Sequence, residues 1–184
     1  MSAKELPQDT QLFLLAAGRG RRAGGPKAWR EEGGRSALEN LVEWMLPRVG
    51  DILVSVQAEW RPLLARISPR VRWISVDPDL PALASLQELV LARGSDAAAF
   101  VHHVDMPLPA EEVLAALRRA LPGWEAAAPV YQGKRGHPVL LSRVLFDPIL
   151  ELDRKNARLD TFLRARKVVE VPVEKASVLE NKNE

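Results

Sequence analysis

The segment Gln11-Leu-Phe-Leu-Leu-Ala-Ala17 is a short apolar run that stops at Gly18. A run this short, broken this abruptly, predicts a buried strand rather than a helix. The next segments constrain the fold further. Gly18 to Gly34 is a glycine-rich loop. Residues 36–49 then place Leu38, Leu41, Val42, Met45 and Leu46 at helical spacing behind Ser36, a good N-cap. Strands are expected over 51–56, 71–76 and 97–104, with helices over 59–67, 82–92 and 109–121 between and after them. In the last of these, Val113, Leu114 and Leu117 share one face and Glu111, Arg118 and Arg119 another. Alternating strand and helix implies a mostly parallel sheet covered by helices on both sides, an α/β architecture in three layers. The remainder predicts strands at 126–131 and 137–141 around the turn Gln132–Gly136. Helices at 144–152 and 158–166 and a last strand at 168–173 complete it. No repeat or linker divides the 184 residues, so a single domain over 1–184 is expected.

Composition narrows the classes. Hydrophobic residues make up 47% and charged residues 27%, which is ordinary for a soluble globular protein. There is no cysteine, which excludes disulfides and thiolate metal sites. The polar start MSAKELPQDTQ lacks an apolar signal core, and no apolar run approaches membrane-spanning length; a cytoplasmic protein without a membrane partner is expected. Lysine plus arginine (26) nearly balances aspartate plus glutamate (24). Bulk charge therefore gives no reason to expect nucleic-acid binding. Charge is concentrated locally instead: Arg19, Arg21, Arg22, Lys27, Arg30 and Arg35 fall within one loop, against Glu31 and Glu32.

In an open parallel sheet, ligands bind at the carboxyl ends of the strands. Here the first such end is Leu15-Ala-Ala-Gly-Arg-Gly-Arg-Arg-Ala-Gly-Gly-Pro-Lys27. Glycines let backbone N–H groups approach an anion. Leu15, Ala16, Ala17 and Gly18 leave room for a base, and Arg22, Gly24 and Lys27 fall where a triphosphate would lie. The loop is not a P-loop, because Ala28 follows Lys27 where a hydroxyl is needed. It is not a dinucleotide fingerprint either, because Ala23 stands where the third glycine belongs. A flexible basic surface loop is the competing reading. The second acidic feature is Phe100-Val-His-His-Val-Asp-Met-Pro-Leu108, where an apolar strand ends in Asp105. That carboxylate is a hard oxygen donor suited to magnesium, or alternatively a cap for the following helix. His102 and His103 are read as strand-packing residues, since neighbours on a strand face opposite ways. Lys134, Arg135 and His137 are placed at a hairpin tip, where they could grip an anionic acceptor or form a solvated turn.

The pattern L-A-A-G-x-x-x-R-x-G-x-x-K resembles the MobA-like NTP transferases, which include molybdenum-cofactor guanylyltransferases and cytidylyltransferases. The resemblance implies a Rossmann-like nucleotidyltransferase fold. It implies catalytic Arg22, Lys27 and Asp105, with Asp105 holding magnesium. Asp77-Pro-Asp-Leu-Pro-Ala-Leu-Ala-Ser-Leu86 is similar to the family's G-P-L-A-G-L segment, implying that Leu83, Ala84 and Ser85 contact the nucleotide; Pro81 and Ser85 replace its glycines. Gly136-His-Pro138 after a basic turn resembles the cytidylyltransferase branch, implying an acceptor site at Lys134, Arg135 and His137. Asn181-Lys-Asn183 resembles a guanylyltransferase segment whose first asparagine completes the metal site, implying Asn181 as a ligand. The implied partners are an NTP, with CTP favoured over GTP, and a phosphorylated small-molecule acceptor, for example one of molybdopterin type. A non-catalytic NTP-binding module is the first alternative, and a nucleic-acid-binding protein using the basic Arg19 to Arg35 patch the second.

Overall fold

The computed structural model describes residues 10–20, 25–64 and 67–181. Ten strands and six α-helices lie among them. The strands are β1 (Thr10–Leu15), β2 (Glu31–Glu32), β3 (Arg35–Ser36), β4 (Asp51–Val56), β5 (Val71–Ser75), β6 (Ala98–His103), β7 (Ala126–Tyr131), β8 (Lys134–Arg135), β9 (Val139–Leu141) and β10 (Val168–Pro172). The helices are α1 (Ala37–Met45), α2 (Arg61–Leu64), α3 (Ala82–Ala92), α4 (Glu111–Ala120), α5 (Phe146–Leu150) and α6 (Leu159–Arg164). The main sheet runs β10-β7-β9-β6-β1-β4-β5, with β8 added to β7. β1, β4, β5 and β6 are parallel; β9 runs against both β6 and β7.

Alternation along β1 divides the core. Leu12 and Leu14 pack on one side with Leu38, Leu41 and Met45 of α1 and Val113, Leu114 and Leu117 of α4. Phe13 and Leu15 pack on the other side with Leu83, Leu86 and Leu89 of α3, and with Phe146 and Ile149 of α5. Both faces of β1 are covered, which is why its sequence reads as a continuous apolar run. The result is three layers, as the alternation of elements implies.

Ser36 caps α1 in a reciprocal box. Its Oγ accepts from the Glu39 N–H at 3.2 Å, and the Glu39 carboxylate accepts from the Ser36 N–H at 2.7 Å. Gln87 ties α3 to the far end of α5, donating to the carbonyls of Ile149 and Leu152 at 2.9 Å each.

Two local expectations change. Over the described part of the helix expected at 59–67, a 3-10 turn (Ala58–Trp60) precedes α2. The tip of the β7–β8 hairpin is Gln132-Gly133, both at positive φ as a tight two-residue turn demands. Lys134 and Arg135 consequently form the returning strand. His137 is half-buried, and the next strand begins only at Val139. Near the C-terminus a 3-10 turn at Ala176–Val178 buries Val178 in the core.

Removing the capping box tests the local account of α1. Ser36→Ala is expected to destabilise the fold by about 1 kcal/mol. That corresponds to roughly 2–4 °C in the thermal midpoint for a chain of this size, read by calorimetry, with the variant still folding cooperatively.

Candidate active site

The parallel ladder continues past the strand ends and sets the site. Ala16 N–H donates to the Ser55 carbonyl at 3.2 Å, and Val104 N–H donates to the Leu15 carbonyl at 3.1 Å. Buried Gln57 donates to the Ala17 carbonyl at 2.9 Å. These bonds bring the ends of β1, β4 and β6 to one edge. The glycine loop leaves β1 there and is pinched shut where Gly25 N–H donates to the Gly20 carbonyl at 3.2 Å. Gly20 has φ +59°, and a Cβ on it would fall 1.8 Å from the Gly25 oxygen. Only glycine satisfies both conditions.

Lys27 follows, at the start of a 3-10 turn (Lys27–Trp29) whose Ala28 is buried. Trp29 meets Trp60 edge to face, with ring centroids 5.5 Å apart. This apolar anchor fixes the backbone behind Lys27. On the other side, the turn after β6 presents Asp105. Met106 N–H donates to the His103 carbonyl at 3.2 Å, and His102 Nε2 lies 3.1 Å from the Pro107 carbonyl. Lys27 Nζ and Asp105 Oδ2 meet at 2.9 Å, each side chain 20% exposed. Two residues 78 positions apart thus form a half-buried ion pair.

The pair sits in the wall of a cavity of about 230 Å³. Leu15, Ala16, Ala17, Gly18 and Ser85 border it. Leu83 and Ala84 do not. Successive helix residues are about 100° apart, so α3 turns Ala82 and Ser85 toward this cavity, Leu83 toward a larger one and Ala84 toward a third hollow that Ser85 also borders. Arg19 does not border the cavity; it makes a double hydrogen bond to Asp79, 2.8 Å to each oxygen. Arg22 and Gly24 lie outside the described residues.

The larger cavity, about 810 Å³, adjoins the first; Leu15, Ala82 and His103 border both. Lys134, Arg135 and His137 line it together. Its charged lining comprises Lys134, Arg135, Arg158, Arg164, Asp160 and Glu170, an excess of cations. Arg135 is partly neutralised by Glu170 at 2.8 Å, and Arg158 by Asp160 at 3.0 Å. Asn181 is exposed and borders neither cavity. Among the described residues no group of three or more His, Cys, Asp or Glu side chains is placed to hold a metal.

The histidines divide as strand geometry requires. His102 is 2% exposed and packs in the interior, as expected. Burial, aided by the nearby His137, pushes its pKa down to about 3. Burial likewise lowers His137 to about 4 and holds His103 below its usual range. His103 is the residue that the strand-packing reading misses: it borders both cavities. The available signal was its position at the carboxyl end of the strand, on the face opposite the packing His102.

The sequence matches the model of the MobA-like NTP transferase domain over residues 12–171, and the chain belongs to that family. No curated protein matches it significantly. Solved structures share the fold. The homolog of Mycobacterium tuberculosis Rv0371c from Mycobacterium sp. strain JC1 is 19% identical, with a TM-score of 0.79, covering 91% of this chain and 87% of that one. Molybdopterin-guanine dinucleotide biosynthesis protein A from Archaeoglobus fulgidus is 22% identical, with a TM-score of 0.67, covering 89% and 84%. A manganese complex of Rv0371C from M. tuberculosis H37Rv is 16% identical, with a TM-score of 0.75, covering 95% of each chain. No helix among the described residues is long and apolar enough to cross a membrane.

The buried His102 has a consequence for acid stability. Its folded-state pKa lies near 3 and its unfolded value near 6.5, so the unfolded chain binds more protons between those limits. Stability is therefore full above about pH 6.5 and falls as the pH drops through that window. The urea midpoint is expected to decrease between pH 7 and pH 4.5. In His102→Gln that decrease should be smaller.

Proposed function

We propose that this chain transfers a nucleoside monophosphate from an NTP to a phosphorylated small-molecule acceptor, with release of pyrophosphate. The observation that carries this reading is the convergence of Lys27 and Asp105 in the wall of a small cavity, at the carboxyl ends of β1 and β6, beside a larger cation-rich one. The small cavity is the candidate nucleotide site and the large one the candidate acceptor site. Lys27, with Arg22, is the counter-charge for the triphosphate, and Lys134, Arg135 and His137 face the acceptor.

Asp105 fits a hard divalent cation, and we assign it magnesium. Its carboxylate already takes the Lys27 ammonium at 2.9 Å, so it faces the cavity as a cation acceptor. One carboxylate suits an ion that keeps most of its shell as water and phosphate oxygens. When bound, the ion would neutralise phosphate charge. The position of Asn181 gives no support to its role as a second ligand. The protein's own contribution is placement and charge: Ala16, Ala17 and Gly18 seat the nucleotide, and Lys27 offsets the charge of the departing pyrophosphate. An acceptor phosphate is already ionised, so no general base is needed. A cytoplasmic location accords with this use of NTP.

Pyrophosphate release, measured across the four NTPs with magnesium and a phosphorylated pterin as first acceptor, tests the reading. Nucleotide binding without any release would favour a non-catalytic binding module. Asp105→Asn is expected to lower turnover at least a hundredfold while the thermal midpoint stays close to wild type. Lys27→Ala should weaken NTP binding about tenfold, ~1.4 kcal/mol, and leave nucleoside binding almost unchanged by calorimetry.

CTP is the favoured nucleotide. Ala17 stands where the related guanylyl pattern carries glycine, and its methyl narrows the floor of a cavity of about 230 Å³. A mismatched buried polar edge costs ~1–3 kcal/mol. The expectation is a kcat/KM for CTP at least tenfold above that for GTP. The reverse order would move the chain to guanylyl transfer.

A further inference from the structure

Of the three residues that border both cavities, Leu15, Ala82 and His103, only His103 carries a polar side chain. Its ring stands edge to face with that of His137 at 5.1 Å between centroids, and His137 itself borders the larger cavity. Lys27 and Asp105 both act on His103 electrostatically, so it lies within reach of the ion pair. Among the described residues, neither ring nitrogen of His103 has a hydrogen-bonding partner, whereas the adjacent His102 spends its Nε2 on the Pro107 carbonyl. A polar ring thus stands at the passage between the two sites, braced by a second ring. An imidazole presents at least one N–H in either protonation state.

We propose that His103 is a catalytic residue that donates an N–H to the acceptor's attacking phosphate group and fixes it in line with the nucleotide. This rests on the reading of the small cavity as the NTP site and the large one as the acceptor site. In the step, an acceptor phosphate oxygen forms a bond to the α-phosphorus. The bond from the α-phosphorus to the bridging oxygen breaks, and its electron pair leaves with pyrophosphate. No proton passes through His103. Its contribution is orientation, which matters most where two anions must be brought together.

Inorganic phosphate is the smallest stand-in for the acceptor. It is titrated calorimetrically into the protein saturated with magnesium and the α,β-methylene analogue of CTP or of GTP, whichever binds more tightly. Wild type is expected to bind phosphate saturably. His103→Phe should weaken phosphate at least tenfold while changing the analogue's Kd less than about twofold. His103→Gln, which retains an N–H, should stay within about threefold for phosphate. His103→Ala replaces the phenylalanine variant if that one does not fold. Undiminished phosphate binding in the phenylalanine or alanine variant overturns the proposal, and so does the lack of saturable phosphate binding by wild type. Failure of both analogues to bind wild type is a different result, because it removes the reading of the nucleotide cavity on which the proposal rests.

Discussion

The site depends on one ion pair, Lys27 with Asp105, and the pair depends on the sheet. A half-buried salt bridge is weak evidence for stability, because desolvation offsets much of the Coulomb attraction. Holding these two groups together instead requires structure on both sides. Ala28 and Trp29 pack behind Lys27, and the hydrogen bonds of His102 and Met106 stiffen the turn that carries Asp105. The parallel pairing of β1 with β6 then sets the distance between the two supports. A cation and a carboxylate so placed can each accept a charged ligand only by loosening their hold on one another. Triphosphate and divalent metal supply the two opposite charges that make such an exchange nearly neutral.

The two cavities handle charge differently. In the smaller one, the charges on the wall among the described residues are the Lys27 and Asp105 pair itself. In the larger one, cations are more numerous and several are already matched, Arg135 by Glu170 and Arg158 by Asp160. Lys134 forms no ion pair among the described residues, so its charge is the least committed on that side. Paired arginines hold their forks in fixed orientations and can share a second anion without a large desolvation cost. That suits an acceptor carrying a phosphate better than it suits a neutral one.

Much of this was legible in the sequence because it rests on local rules. The Ser36 and Glu39 box, the bounds of α3 and the apolar run of β1 follow from capping, periodicity and burial on two faces. Asp105 was legible because a lone carboxylate ended an apolar strand. What escaped depends on directions that periodicity does not give. Leu83, Ala84 and Ser85 are contiguous in a motif, yet the helix brings only Ser85 of the three to the small cavity. The hairpin tip shifted by two residues because Gln132 accepts positive φ beside Gly133, which a glycine count alone does not reveal. His103 looked like packing because its neighbour is packing.

The Gly136-His137-Pro138 segment shows how a motif can combine a structural and a functional demand. Gly136 N–H donates to the Pro129 carbonyl at 2.8 Å, and His137 N–H donates to the Val178 carbonyl at 2.8 Å. A Cβ at position 136 would lie 2.3 Å from the Val178 oxygen, so the glycine is required by the chain that passes behind it. Val178 is in turn anchored in the core. The backbone of 136–137 is therefore fixed from behind by the C-terminal 3-10 turn, which leaves the His137 ring directed at His103. On this account the segment near the C-terminus supports the wall of the larger cavity. Asn181, exposed just beyond that support, is then better understood through what Val178 holds in place than through a metal it would have to reach.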